Sequence, residues 1–168
     1  IDCIVSVSPE CEKRNRETLN CADSIFLPNL ISGEVVRKRA SEIPEHDADY
    51  YRFIHFSGKK IITVCRTDNK SKALERICFA ADHLKKSGMD FIWYVVGDGP
   101  DTDSLHKLIE SLGIADRVVL TGKKINLMPF VKAADLFVLS SRYEGKPMCV
   151  TESMMIGMSE NLRISRHT

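Results

Sequence analysis

The chain has 168 residues, of which 24 are basic and 23 acidic, so its formal net charge is +1. This balance gives no footprint for nucleic acid or for an acidic membrane, and partners must be sought in local sites. A chain of this size can build one domain with a hydrophobic core, and one full domain is the upper limit. The six cysteines form no Cys-x-x-Cys pair and the five histidines show no metal-ligand spacing, which predicts reduced thiols and no metal site.

No segment has the length of a transmembrane span. The longest apolar run, Phe91 to Val96, is far too short to cross a bilayer. The N-terminal residues lack the basic and apolar regions of a secretory signal. We therefore expect a cytoplasmic protein, in which Cys65, Cys78 and Cys149 pack as small apolar side chains.

The first part of the chain predicts short elements. Ile4 to Val7 is typical of a strand, Ser8 of a helix cap with Pro9 in the first turn, and Ile25 to Leu27 of a second strand.

A hairpin is predicted next, after a loop. Residues 47–51 are polar and indicate the loop. Residues 52–56 and 60–64 are joined by Ser57-Gly58-Lys59, a connection that favours an antiparallel pair.

From about residue 60 the sequence alternates short apolar runs with amphipathic helical patterns. Because this alternation favours parallel strands with helices on both faces, we predict a three-layer α/β/α Rossmann-like fold. Trp93 lies in a buried strand and is expected in the core. The predicted strands are Lys60 to Cys65, Phe91 to Val96, Val118 to Thr121 and Leu136 to Leu139, and the predicted helices occupy 74–84, 105–112 and 127–133.

Two carboxylates follow the last of these strands. Glu144 lies in the loop after the strand, and Glu152 lies eight residues later in a helix predicted to begin at about Pro147. The start of this helix, Met148 to Val150, leaves backbone N–H groups free, and with the helix dipole they favour an anion such as a diphosphate. Acceptors on either side of that pocket can hold the hydroxyl groups of a sugar and of a ribose. Taken alone, the segment also fits an amphipathic helix whose glutamates face water.

The segment from Arg142 to Glu152 resembles the paired-glutamate signature of the glycosyl transferases group 1 family, retaining GT-B enzymes with two facing Rossmann-like domains. The resemblance implies that Glu144 approaches the donor sugar and that Glu152 binds the ribose hydroxyls. Lys146 replaces the commoner aromatic residue, in a form similar to members that build bacterial capsule or exopolysaccharide. The resemblance also implies that the residues between the glutamates hold the nucleotide, namely Gly145, Lys146, Pro147, Met148 and Cys149.

A basic loop leaves the first strand of the predicted sheet. Ligands bind at the carboxyl ends of parallel strands in this architecture. The resemblance implies that Arg66 and Lys72, with Lys70 as the alternative lysine, clamp the donor diphosphate and stabilise it as the leaving group. Without the other motifs, the loop also fits a solvated basic segment with Lys72 at a helix start.

Two further turns stand where the family binds its nucleotide. Gly97 and Gly99 follow the second strand, where the resemblance implies close approach of the backbone to the ligand, and a plain turn is the alternative. The third glycine of the Gly-x-Gly-x-x-Gly dinucleotide fingerprint is absent, which disfavours an NAD enzyme. After the third strand, backbone groups of Lys124 or Ile125 are predicted to bind the base, with a turn bearing two exposed lysines as the alternative.

The resemblance covers residues 1–157 and matches only part of a two-domain enzyme. It implies a remnant of the acceptor domain and linker at 1–35, a Rossmann-like nucleotide-sugar-binding domain at 36–157, and an atypical tail at 158–168 that lacks the family's next strand. The implied function is retaining transfer of a sugar from a nucleotide-diphosphate sugar, UDP being favoured over GDP, to a glycan or lipid-linked acceptor in polysaccharide biosynthesis. For the isolated chain we expect negligible transfer and weak nucleotide binding.

The implied mechanism needs no metal or other cofactor, because Arg66, Lys72 and the helix N-terminus supply the positive charge. The implied partners are the nucleotide sugar and the acceptor. Membrane association of the intact parent and a homodimer through an open sheet edge beyond residues 136–139 are further hypotheses. Two other classes of protein stay open: a non-catalytic nucleotide- or protein-binding module, and a structural fragment without a ligand.

Overall fold

The computed structural model describes residues 3–19, 23–158 and 162–164. It begins with a small β-α-β unit in which β1 (Ile4–Ser6) pairs in parallel with β2 (Ser24–Phe26) across the helix α1 (Pro9–Leu19). The hydroxyl of Ser8 accepts a hydrogen bond from the backbone N–H of Cys11 at 3.1 Å. The predicted cap and the start of the helix at Pro9 are therefore confirmed.

Two helices follow, and the second corrects the sequence interpretation. α2 spans Gly33–Ser41, and α3 spans Ala48–Ile54, where a loop and one strand of a hairpin were predicted. The prediction was wrong because the carboxylate of Asp47 caps a helix, accepting from the N–H groups of Asp49 and Tyr50 at 3.0 and 3.3 Å. Helix formation also turns Phe53 inward, where it is fully buried.

The main sheet has five strands, and all its neighbouring pairs are parallel. Its strands are β3 (Lys59–Val64), β4 (Phe91–Val96), β5 (Val118–Gly122), β6 (Leu136–Leu139) and β7 (Leu162–Ile164). The order across the sheet is β5-β4-β3-β6-β7. The connecting helices are α4 (Asn69–Lys72), α5 (Glu75–Lys86), α6 (Thr102–Ser111), α7 (Met128–Ala133) and α8 (Met148–Met155). In the described part of the chain, none of the helices is long and apolar enough to cross a bilayer.

Strand β4, between β5 and β3, is buried on both faces, and its side chains alternate between two cores. Ile92, Tyr94 and Val96 pack with residues of α2, α3, α7 and α8. Phe91, Trp93 and Val95 pack with residues of α5 and α6 on the opposite face. The predicted three-layer α/β/α fold is thus confirmed, as is the burial of Trp93, whose indole N–H donates to the hydroxyl of Thr63 at 3.0 Å.

The tail also differs from expectation. The strand predicted to be missing is present as β7, which pairs in parallel with β6 from Phe137↔Leu162 to Leu139↔Ile164. The edge beyond β6 is therefore occupied, and the homodimer hypothesis loses the open edge that motivated it. The division at residues 35 and 157 stays a prediction, although α2 runs across the first boundary and Met158 is buried in the main core.

Truncation of Phe53 tests whether α3 is part of the core. Its ring lies 4.6 Å from that of Tyr94, centroid to centroid, and is fully buried. We expect Phe53→Ala to lower the free energy of unfolding by about 3–5 kcal/mol, because a buried aromatic side chain leaves a cavity. Urea denaturation followed by circular dichroism measures this loss. Phe79→Ala on α5 is the matched control, since that ring is 54% exposed, and an equal loss in both variants would contradict the packing of α3.

Candidate functional site

A cleft of about 860 Å³ opens at the carboxyl ends of β3 and β4, opposite the start of α8. Its volume falls within the range of roughly 300–1,000 Å³ typical of small-molecule sites. Ten of the thirteen residues predicted for the site line it: Arg66, Lys72, Gly97, Gly99, Lys124, Glu144, Lys146, Pro147, Met148 and Cys149. Residues from four separate parts of the sequence therefore meet in one cavity.

The other three predicted residues lie around this cleft without lining it. The side chain of Ile125 is fully exposed. Gly145 faces the N-terminal unit, where an added Cβ would lie 3.5 Å from the Sγ of Cys11. Glu152 lies on α8 and is half-buried; burial raises the pKa of its carboxyl, against a smaller lowering by Arg39.

The two residues predicted to act on the sugar and on the diphosphate are bonded to each other. The Nζ of Lys72 lies 2.6 Å from Oε1 of Glu144, and each side chain is 21% exposed. The hydroxyl of Ser141 donates to the same carboxylate oxygen at 2.6 Å. The charge of Lys72, the lysine predicted to bind the diphosphate, is thus balanced by Glu144. Lys72 ends α4, so the alternative interpretation that placed it at a helix start is wrong.

A set of hydrogen bonds holds the paired-glutamate loop against the basic loop. The Nη1 of Arg142 donates to the carbonyl of Asn69 at 2.6 Å, and its Nη2 forms an ion pair with Glu75. The hydroxyl of Ser140 donates to the carbonyl of Lys72 at 2.7 Å. Sequence reasoning assigned no role to Arg142. Its position inside the paired-glutamate signature is the signal that could have identified it.

The glycine turn after β4 lies against the loop after β3. A Cβ on Gly97 would lie 1.8 Å from the carbonyl oxygen of Cys65, and the φ of Gly97 is +144°. A Cβ on Gly99 would lie 2.6 Å from the carbonyl oxygen of Thr67. The backbone at these glycines closely approaches the neighbouring loop of the chain, and the approach to a ligand stays a prediction. Asp98, which the sequence interpretation did not single out, also lines the cleft.

The N-terminus of α8 points at the cleft with one correction to the prediction. Pro147 is the N-cap residue, and its side chain has no group that could bond the helix N–H groups. The N–H of Val150, predicted to be free, donates to the carbonyl of Pro147 at 3.1 Å. This tight first turn leaves Met148 and Cys149, which both line the cleft, as the positions for anion binding.

The two cysteines in the cleft are protonated at neutral pH. Burial raises the pKa of Cys65 to about 12 and that of Cys149 to about 11. They contribute apolar surface to the cleft. Cys3, Cys11 and Cys78 are free as well, and Cys21 lies outside the described residues. Among the described residues no group of three or more His, Cys, Asp or Glu side chains is placed to hold a metal ion.

Comparison with known proteins assigns the family. The sequence pattern of the glycosyl transferases group 1 matches residues 49–159. The chain belongs to this family. The matched range contains all strands of the cleft, the paired-glutamate loop and all of α3 except its first residue.

Individual relatives match shorter stretches. The lipopolysaccharide core biosynthesis glycosyltransferase LpsE of Rhizobium meliloti (strain 1021) is 39% identical over 67 residues, which are 40% of this chain and 19% of LpsE. The alpha-D-kanosaminyltransferase of Streptomyces kanamyceticus is 35% identical over 85 residues, 49% of this chain and 22% of that enzyme. The alignments therefore span about a fifth of the length of these relatives.

Solved structures of GT-B glycosyltransferases share the fold over almost the whole chain. WaaG, a glycosyltransferase involved in lipopolysaccharide biosynthesis, matches with a TM-score of 0.73 and 18% identity, covering 95% of this chain and 42% of WaaG. HepE of Anabaena, in complex with UDP and glucose, matches with a TM-score of 0.72 and 17% identity, covering 93% of this chain and 42% of HepE. The fold of this chain is therefore that of part of a GT-B enzyme.

Substitution of Gly97 tests the close packing at the base of the cleft. Gly97→Ala places a methyl group into the carbonyl of Cys65 at a φ that side chains rarely adopt, so we expect a loss of about 2 kcal/mol or more in the free energy of unfolding. Chemical denaturation measures it. Gly145→Ala is the control, because its Cβ would meet Cys11 only at an ordinary contact distance of 3.5 Å. Equal stability of the two variants would contradict the packing described.

Proposed function

We propose that this chain is the donor-binding part of a retaining glycosyltransferase that transfers a sugar from a UDP-sugar to a glycan or lipid-linked acceptor in polysaccharide biosynthesis. Family membership supports sugar transfer. The relatives named for lipopolysaccharide core biosynthesis support the polysaccharide role, and the UDP in the HepE complex supports the nucleotide. Retention rests on the resemblance of the paired-glutamate segment to the family signature.

One observation carries the proposal. Residues from the basic loop, the glycine turn, the loop after β5 and the start of α8 line the same cleft. They lie far apart in the sequence, and the sequence resemblance predicts nucleotide-sugar binding for each of them. The alternatives of a plain basic loop and a plain turn do not explain why these segments face one another across an open cavity.

The positive charge for the donor diphosphate is proposed to come from Arg66, Lys72 and the start of α8. Arg66 and Lys72 line the cleft together with Met148 and Cys149. A guanidinium, an ammonium and helix N–H groups can bond phosphate oxygens and stabilise the diphosphate as the leaving group when the sugar bond breaks. We propose that these groups do this work without a metal ion.

Donor binding then requires an exchange of partners at Glu144. In the structure its Oε1 accepts from Lys72 and from Ser141. A diphosphate attracts Lys72 because it carries more negative charge than one carboxylate. Glu144 is released by this exchange and becomes free to accept from the hydroxyl groups of the donor sugar. Glu152, farther along α8, is proposed to hold the ribose.

The whole protein's reaction involves more than this chain. The chain covers 42% of WaaG and 42% of HepE. The acceptor and the facing domain are therefore proposed. In the family's arrangement, closure of two domains excludes water and completes the site. For this chain alone, negligible transfer stays the expectation.

Calorimetric titration with UDP and GDP tests the donor site. We expect saturable binding of UDP, weaker binding of GDP, and a loss of about tenfold or more in UDP affinity for the Arg66→Ala, Lys72→Ala double variant. The loss follows because each removed cation takes away a charge-assisted bond to the diphosphate.

A matched double variant controls for the change in net charge. Arg14→Ala, Lys107→Ala removes one arginine and one lysine from exposed positions of α1 and α6. Its UDP affinity should equal that of the unmodified chain. Absence of binding to either nucleotide would reject the donor site and leave the chain a Rossmann-like scaffold.

Replacement of Glu144 separates sugar recognition from nucleotide binding. Glu144→Gln removes the negative charge that pairs with Lys72, so we expect UDP affinity to be kept or increased. UDP-glucose, UDP-galactose and UDP-N-acetylglucosamine are compared, and the one that binds best is taken as the test ligand. Its affinity relative to that of UDP should fall about tenfold, because a charged acceptor of sugar hydroxyls is lost. Competition titrations against UDP measure both. An equal fall for UDP and for the UDP-sugar would contradict the separate roles.

A further inference from the structure

The loop after β5 is attached to the N-terminus of α3 by a partly buried lysine. The Nζ of Lys124 lies 2.9 Å from Oδ1 of Asp47 and 2.7 Å from Oδ2 of Asp49. The same ammonium lies 5.5 Å from the ring centroid of Phe130, a fully buried residue of α7. The side chain of Lys124 therefore points into the protein, although its backbone belongs to the wall of the cleft.

The ammonium of Lys124 and the carboxylates of Asp47 and Asp49 mainly neutralise one another. The side chain of Lys124 is 14% exposed, and the side chains of Asp47 and Asp49 are 22% and 37% exposed. Burial would lower the pKa of Lys124, but the hydrogen bonds to Asp49 and Asp47 outweigh it, and the pKa is raised. The ammonium is thus held in its charged form and is not available as a free cation for a phosphate.

Both ends of the attachment make further contacts within the protein. Asp47 caps α3 through the N–H groups of Asp49 and Tyr50, and Tyr50 packs edge-on against Phe130 with centroids 5.2 Å apart. On the loop side, the side-chain amide of Asn126 donates to the carbonyl of Arg39 at 2.8 Å. The side chains of Lys124 and Asn126 therefore anchor the loop at two positions to residues of α2 and of the N-terminus of α3.

From these contacts we infer that Asp47 and Asp49, acting through the side chain of Lys124, hold the loop of residues 122–126 in position and thereby set which nucleotide base the cleft prefers. This inference rests on the proposed function. The backbone groups of Lys124 and Ile125 are the ones predicted to bind the base, and the exposed side chain of Ile125 leaves them at the surface. A base edge is read by donors and acceptors at fixed positions, so a loop free to shift loses discrimination before it loses diphosphate binding.

The test compares nucleotide preference in matched lysine variants. Kd values for UDP and GDP are measured by calorimetry for the unmodified chain, Lys124→Met, Lys124→Arg and Lys132→Met. Lys132 is an exposed residue of α7 and serves as the control. For Lys124→Met we expect about a tenfold loss for the preferred nucleotide and less than about threefold change for the other, because the diphosphate contacts remain. Lys124→Arg should retain the preference, since a guanidinium can bond both carboxylates.

Each other outcome has a distinct meaning. A parallel loss for both nucleotides, or no loss, in Lys124→Met overturns the inference and leaves the donor site standing. If the unmodified chain binds neither nucleotide, the proposed function fails and the inference fails with it. If Lys124→Met does not fold, Asp49→Asn decides, because it weakens the same attachment while Asp47 still pairs with Lys124; an unchanged nucleotide preference in that variant overturns the inference.

Discussion

The parallel pairing of β3 with β4 on one side and with β6 on the other is the constraint on which the site depends. In parallel strands the carboxyl ends lie at the same edge of the sheet, so the loops that follow these three strands are brought together there. The basic loop, the glycine turn and the paired-glutamate loop are those loops. An antiparallel pairing at any of these positions would send one of them to the opposite end of the protein.

This arrangement is stabilised at two levels. The sheet itself is held by β4, whose six side chains are all buried and alternate between the two faces. At the edge of the sheet, polar contacts join the loops to one another. Arg142 bonds the basic loop through Asn69 and Glu75, and Ser140 bonds it through the carbonyl of Lys72. The glycine turn is held by direct backbone contact with the neighbouring loop.

Two of the lysines that line the cleft have carboxylate partners. Lys72 pairs with Glu144, and Lys124 pairs with Asp47 and Asp49. A partly buried cation without a partner is costly, which explains why both lysines have one. The two pairs differ in their consequence. Lys72 has a single carboxylate partner in the cleft, which we propose it exchanges for a diphosphate. Lys124 has two partners outside the cleft, and we propose that it holds its own loop.

Local patterns explain both the success and the failures of sequence interpretation. The strands of the main sheet from β3 to β6 were found because short apolar runs alternate with helical patterns, and most of the site was found because family resemblance fell on particular residues. The helix at residues 48–54 was missed because the polar residues 47–51 suggested a loop and the connection at residues 57–59 suggested a hairpin. The deciding facts were the cap at Asp47 and the burial of Phe53. The strand β7 was missed because its residues lack an apolar run, and its pairing with β6 depends on a neighbour that is distant in the sequence.

By itself, the sequence determined the fold class, the family and most residues of the cleft, since periodicity, turn residues and short signatures are properties of neighbouring residues. Only the tertiary structure decided how those residues are partnered. The bond between Lys72 and Glu144 joins residues 72 positions apart, and the bonds from Lys124 to Asp47 and Asp49 span 77 and 75 positions. Such pairs form because the sheet and its covering helices bring distant segments within hydrogen-bonding distance, and no local pattern records which charges will meet there.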